Sequence, residues 1–326
     1  LVAPGVPKVY FVTGHGEASV AVAGGGMSDR SLAVLQEILK RENLEVADAT
    51  LLAGQVPEDA DVLAIVGPTQ PFTEVEIAAL GAFLDGGGRL LVCLDPLIDA
   101  GGAMRPTRLE AFLGERGVTV GDDLVVDPSR RLPFYDLSAV YLTDLGSHPV
   151  TQGLEGIAML FTVTRSLTAE GEGSTAIVET TADGWGETDL AALLAGQPVD
   201  KGETDTPGPV AVAVAVEQAA APAGLDADAA TADAGAEPGW RLVAFGDSDF
   251  LADVEISNAG NAALAANAFN WLAARDESVG IPPRQVDQVN LFLTQQQLSM
   301  ILLVTLVLMP GAAIVAGIVV WRRRRH

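Results

Sequence analysis

Hydrophobic and polar positions along the first third of the chain fall into two alternating rhythms. Short apolar runs at Val9–Thr13, Leu44–Ala47 and Val62–Val66 read as β-strands. Amphipathic stretches lie between them: Asp29–Arg41 sets Leu32, Leu35 and Leu39 on one helical face, and Thr73–Asp85 does the same with Ile77, Leu80 and Leu84. The second helix opens with Thr73-x-x-Glu76, the spacing of a capping box, and stops at Gly86-Gly87-Gly88. The run after it, Arg89–Leu94, is apolar without alternation, as a central parallel strand covered on both faces requires. Strand–helix–strand repetition of this kind predicts an α/β fold, an open, mostly parallel sheet with helices on both faces.

The middle of the chain is less regular. Leu124–Val126, Leu160–Thr164 and Ala176–Thr180 read as strands separated by loops, and Val210–Val216 alternates valine with alanine. From Gln218 to Gly239 a low-complexity run of small and acidic residues buries too little apolar surface to offset its ordering entropy, so 218–239 reads as a mobile loop. Arg241–Phe245 returns as a strand, and Asn261–Ala274 as a helix with Ala265, Ala268, Phe269 and Leu272 on one face.

These patterns divide the chain into an α/β domain over 1–275, a polar linker over 276–297, a transmembrane helix over 298–321 and a basic tail over 322–326. The helix is predicted because Leu298–Trp321 carries no charge and, at about 1.5 Å per residue, spans about 36 Å, enough for a bilayer. Trp321 fits an interfacial anchor, and Arg322–Arg325 favours the cytoplasmic side, which places the main domain outside the cytoplasm at an inner or plasma membrane. The chain starts at Leu1 without a methionine, in keeping with an upstream segment that carries a further anchor.

Charge narrows the partners. The net charge is −24, with 19 basic residues, four of them in the terminal arginine run. Such a surface repels phosphate backbones, so nucleic acid is not an expected partner. There is no G-x-x-x-x-G-K-[ST] loop and there are only three lysines, Lys8, Lys40 and Lys201, which argues against ATP hydrolysis by this chain alone. The single cysteine and three histidines make no structural zinc set, and no cofactor or metal is expected.

The segment Val9–Ala18, VYFVTGHGEA, carries the first candidate chemistry, an imidazole and a carboxylate on a glycine turn at a strand end. In an open α/β sheet the loops after the carboxyl ends of the strands converge on one edge. His15 and Glu17 should therefore meet Gly67-Pro68, Asp95-Pro96 and Gly246-Asp247-Ser248-Asp249. His15, Glu17, Asp95, Asp247 and Asp249 are the candidate ligand- or partner-binding residues, set against the simpler reading that such residues cap turns and helices. Cys93 lies where amidotransferase-like folds place a nucleophile, but its only internal base candidates are His15 and His148, without a local His-x-Glu arrangement. A buried, inert thiol in an apolar strand is the commoner case, so no catalytic residue is assigned.

Read in order, GHGE, Pro57–Pro68, GGGRLLVCLDP (Gly86–Pro96), HPVTQGL (His148–Leu154), TRSL (Thr164–Leu167), WGETD (Trp185–Asp189) and FGDSDFL (Phe245–Leu251) resemble the gliding-motility-type, GldG-like auxiliary proteins of ABC transport systems. The resemblance runs from about Lys8 to Ala274. It implies an amidotransferase-like α/β ectodomain, an accessory subunit working with a separate ATPase and permease, and membrane helices that members often carry at both ends. Related domains in intraflagellar transport proteins act in assembly and not as enzymes, and no catalytic residue carries over. The acidic insert at 218–239 is a departure from the family pattern. The expectation is a non-enzymatic accessory subunit whose ectodomain binds substrate or an envelope partner. Two rivals stay open: an envelope hydrolase using Cys93 or the acidic rim, and a stand-alone extracellular glycan-binding module suggested by Trp185, Trp240 and the carboxylates.

Overall fold

The computed structural model describes residues 5–20, 30–130, 138–197, 199–219, 238–273 and 295–324. Along the first half run β1 (Lys8–Val12), α1 (Ala33–Arg41), β2 (Glu45–Ala49), β3 (Val62–Val66), α2 (Glu74–Asp85), β4 (Arg89–Cys93), α3 (Leu109–Gly114), β5 (Val118–Val120) and β6 (Leu124–Val126). Then come β7 (Val140–Leu142), β8 (Asp144–Leu145), β9 (Met159–Phe161), β10 (Leu167–Ala169), β11 (Ser174–Glu179), β12 (Trp185–Glu187), α4 (Leu190–Leu194) and β13 (Thr206–Pro207). The body closes with β14 (Ala211–Ala219), β15 (Pro238–Phe245) and α5 (Asn261–Leu272), followed by α6 (Gln295–Leu302) and α7 (Met309–Arg324).

One sheet of ten strands organises the molecule, in the order β2-β1-β3-β4-β15-β14-β10-β5, with β11 on β14 and β8 on β11. From β2 to β15 every pairing is parallel. From β15 onward every pairing is antiparallel. The sheet is thus mixed, which corrects the expectation of a mostly parallel one. A parallel neighbour needs a long crossover, usually a helix, and among the described residues no α-helix lies between β5 and β11.

Alternation along the parallel strands sorts their side chains between two cores. Val62, Ala64, Val66, Leu91, Cys93, Val243 and Phe245 face α1 and α5, where Leu35, Leu39, Leu264 and Phe269 complete the layer. Leu63, Ile65, Leu90, Val92, Leu242 and Ala244 face Leu80 and Leu84 of α2. The capping box is formed: the Glu76 N–H donates to Thr73 Oγ1 at 3.3 Å, and the Thr73 N–H donates to Glu76 Oε2 at 2.8 Å. Helix α5 departs from its expected single apolar face, because all 12 of its residues are buried. Its asparagines are accommodated by bonds to other segments, the Asn267 amide donating to the Val150 and Gln152 carbonyls at 3.1 Å each.

The C-terminal run also differs from expectation. It divides into α6, a π-helical stretch at Leu303–Leu308 and α7, and no described helix is long and apolar enough to cross a membrane. The transmembrane helix expected over 298–321 is therefore not seen. Within the π-helical stretch the Thr305 hydroxyl donates back to the Ile301 carbonyl at 2.7 Å, and Pro310 has no N–H to offer the ladder. The remaining helix, α7, spans about 24 Å by its rise and ends in Arg322, Arg323 and Arg324, short of the roughly 30 Å of a hydrocarbon core. Most of the expected loop over 218–239 and linker over 276–297 lies outside the described residues; β14 runs to Ala219 and β15 starts at Pro238.

Candidate functional site

The carboxyl ends of β1, β3, β4 and β15 bring the expected loops to one edge, where the side chains form two linked networks. The first is built around His15, on the turn after β1. Its Nδ1 lies 3.1 Å from Glu17 Oε1 and its Nε2 lies 3.1 Å from Glu76 Oε2. With both ring nitrogens protonated, each donates to a carboxylate oxygen. The ring stacks on Phe72 at 3.9 Å between centroids, and the His15 N–H donates to Glu17 Oε2 at 2.7 Å. Glu76 thus serves twice, as the capping-box acid of α2 and as a partner of His15. Burial works to raise the Glu76 carboxyl, but the Thr73 N–H and hydroxyl, together with His15, outweigh it and hold the group below its ordinary value.

The second network joins the ends of β4 and β15. The Ser248 N–H and hydroxyl donate to the two oxygens of Asp95, at 2.6 and 2.7 Å. Asp247, wholly buried, accepts the Asp249 N–H at 2.8 Å and the Thr162 N–H at 3.3 Å, and the Thr162 hydroxyl donates to Asp249 at 3.3 Å. Burial pushes Asp95 up to about 6; the Ser248 bonds and Arg30 oppose that rise, and the charge on Asp249 adds to it. Burial, followed by the charges on Asp95 and Asp249, drives Asp247 well above the usual carboxylate range. Asp247 exposes no surface from which to exchange a proton with a ligand.

Arg30 and Gly67 link the two networks. The Arg30 guanidinium donates to the carbonyls of Gly16 and Gly67, tying the turn after β1 to the turn after β3. Gly67 adopts φ +61°, and a Cβ there would fall onto Ser248 Oγ and 2.6 Å from Asp95 Oδ2, so only glycine lets the β3 turn approach this closely.

The structure therefore gathers Asp95, Asp247 and Asp249 into one cluster and places His15 and Glu17 in the adjoining one. Each of the five has at least one hydrogen-bond partner inside the chain. Among the described residues, no group of three or more His, Cys, Asp or Glu is arranged to hold a metal. Among the described residues, the cavities at Leu145–Glu155, Lys8–Ala47, Gly114–Trp240 and Tyr10–Phe83 are lined by other residues. Cys93 is fully buried at the end of β4, and burial, then the charges on Asp95 and Asp247, raise its thiol well above the ordinary value. A nucleophilic thiol needs the opposite shift. His148 lies elsewhere, its Nδ1 accepting the Val150 N–H at 3.2 Å and its ring edge-on to Trp271 at 4.7 Å. Sequence reasoning took Glu76 for a cap only and passed over Arg30 and Thr162. The capping box was the one local signal that marked any of the three.

A family match extends over residues 6–270, most of the chain. The chain belongs to the auxiliary family of an ABC-type uncharacterized transport system. Membership makes it an auxiliary component of an ABC-type transport system, as the motif order implied. No curated protein matches it. Among solved structures, the N-terminal domain of mmIFT52 is similar, with TM-score 0.54 and 16% identity, over 81% of this chain and 97% of that one. A protein from Bacteroides uniformis described as thua-like superposes with TM-score 0.47 and 14% identity, over 86% of this chain and 96% of that one. At such identities the likeness to the first concerns the fold alone.

Proposed function

We propose that this auxiliary protein is a non-enzymatic subunit of the gliding-motility, GldG-like type, which associates with a separate ATPase and permease and whose α/β body binds substrate or an envelope partner. One observation carries the reading: the side chains at the strand ends are engaged with one another. His15 is held between Glu17 and Glu76, both oxygens of Asp95 are taken by Ser248, and the only cysteine is buried with its thiol pushed up. Catalysis would need a nucleophile or base free to meet a substrate. The GHGE turn is then a structural knot at the rim of a binding body.

The test is to purify the full-length protein from its native cells in mild detergent and identify what accompanies it by mass spectrometry. Recovery of an ATPase and a polytopic permease in fixed ratio is expected. Recovery of the protein alone would overturn the reading. A His15→Ala, Glu17→Ala double variant that folds should still bring the same partners down; complete loss of transport-linked function in that folded variant would point to a chemical role for the turn.

A further inference from the structure

An open sheet must manage the unpaired backbone groups of its outermost strands. Among the described residues, the outer strands β5 and β8 of the main sheet are three and two residues long, too short to template another chain, whereas β2 runs for five. It pairs with β1 alone, in a register unbroken from Glu45 to Ala49, and carries neither a bulge nor a proline. The Glu45 N–H donates to the Pro7 carbonyl at 2.9 Å, and the Ala49 carbonyl accepts the Thr13 N–H at 2.8 Å. Backbone direction alternates along a strand, so Glu45, Ala47 and Ala49 turn their groups to β1, and Val46 and Asp48 turn theirs to the open edge.

Space follows the whole of that strand. A cavity of about 320 Å³ is lined by Glu45, Val46 and Ala47 together with Lys8 and Lys40, and one of about 710 Å³ by Asp48 and Ala49 together with Glu58. Lys8 and Lys40 are two of only three lysines in a chain of net charge −24. Lys8 lies 2.6 Å from Asp59 and 3.8 Å from Glu45, and Lys40 lies 3.1 Å from Glu37, yet the two lysine side chains stay 37% and 49% exposed. The strand thus has both cations at its amino end and the carboxylates of Asp48 and Glu58 at its carboxyl end.

We infer that β2 pairs antiparallel with β2 of a second copy of this chain, about a two-fold axis at Ala47, joining the two sheets into one. With Ala47 facing Ala47, Val46 of each copy stands opposite Asp48 of the other as a hydrogen-bonded pair, so every outward N–H meets an outward carbonyl. Glu45 falls opposite Ala49, and Asp48 opposite Val46, so no carboxylate of the strand stands across from another. The antiparallel arrangement also sets the lysine end of each copy against the Asp48 and Glu58 end of the other, which offsets locally the repulsion between two acidic chains. This match is a property of the strand with itself, and it selects a second copy over a foreign strand. The inference is independent of the transport reading: a protein recovered without ATPase or permease would leave it standing.

The test uses the full chain in mild detergent, where sedimentation over the micromolar range should show a dimer. Ala47→Cys should cross-link that dimer on mild oxidation, because opposed residues of a non-hydrogen-bonded pair lie about 4.5 Å apart between Cα atoms, within disulfide reach. Ala49→Cys, which faces Glu45 of the other copy, should not, and the fully buried Cys93 gives no background. Ala47→Lys, at an exposed position, places like charges on the axis and should weaken association about fivefold or more. Mixing it with Ala47→Glu should restore association, which a misfolded variant could not do. A monomer throughout, a dimer that Ala47→Cys does not cross-link, or association unchanged in Ala47→Lys would overturn the inference.

Discussion

Ser248 donates twice to Asp95 across 153 residues of sequence, its N–H to one carboxylate oxygen and its hydroxyl to the other. This pair joins the ends of two adjacent parallel strands and holds a carboxyl that burial has raised to about 6. A folded-state value above the unfolded one, about 3.9, means that the native state binds the proton more tightly. The stability contributed by this group is complete below the unfolded value and is lost as pH rises through about 6. Relative to Asp95→Asn, the wild-type protein should lose about 1–2 kcal/mol between about pH 5 and about pH 8, less than the full linkage value because part of the loss falls below pH 5. Urea unfolding of both proteins across that range checks it; a constant difference would refute it.

Glu76 predicts the opposite slope. Its carboxylate accepts the Thr73 N–H and hydroxyl at 2.8 and 2.7 Å, and His15 Nε2 lies 3.1 Å away. Glu76→Ala removes the reciprocal half of the capping box and leaves His15 with one partner, a loss of about 2–3 kcal/mol at neutral pH. Because the folded carboxyl lies below its ordinary value, its contribution is present above the unfolded value of about 4.3 and is lost as pH falls through the folded one. The deficit of the variant should therefore narrow in acid, as measured by thermal unfolding at a series of pH values.

Two glycines separate strain from collision. Gly14 has φ +131° but open space around a hypothetical Cβ, whereas Gly67 has φ +61° and would push its Cβ into Ser248 and Asp95. Gly14→Ala should cost about 1–2 kcal/mol from backbone conformation alone. Gly67→Ala should cost about 3 kcal/mol or more, and should disrupt the Asp95–Ser248 pair so that the pH dependence described above disappears with it. Equal losses in the two variants would show that the close approach contributes nothing.

What was legible in the sequence was local or strongly apolar. Helix α2 could be placed because its cap, Thr73 with Glu76, lies within one turn, and β4 could be read as a central parallel strand because Leu90–Leu94 is apolar without alternation. Asp95, Asp247 and Asp249 could be grouped because strand ends converge in such sheets. The start of α1 was not legible, since its cap comes from elsewhere: the Val34 N–H and the Ser31 hydroxyl donate to Asp253, more than 200 residues away in the chain. Neither was the antiparallel half of the sheet, whose three-residue strands β5 and β10 carry no pattern that distinguishes direction. Arg30 went unread because nothing in its surroundings in the sequence marks the Gly16 and Gly67 carbonyls as its partners.

The buried asparagines of α5 show how polar residues survive on a helix with no exposed face. Asn261 is satisfied at both ends: its Oδ1 accepts the Leu160 N–H at 3.0 Å and its amide donates to the Leu160 carbonyl at 3.0 Å, so the side chain acts as an additional strand partner for β9. Asn270 donates to Glu42 at 3.0 Å, but its Oδ1 is buried without a partner. Asn261→Ala leaves a buried backbone N–H and carbonyl unpaired and should cost about 3 kcal/mol or more. Asn270→Ala also removes an orphan acceptor, which offsets part of the lost bond to Glu42, and should cost about 1 kcal/mol. Hydrogen exchange at the Leu160 amide provides the residue-level check: protection should collapse in the Asn261 variant and persist in the Asn270 variant. Similar losses of stability in both, with protection at Leu160 retained, would mean that α5 is held by its apolar contacts alone.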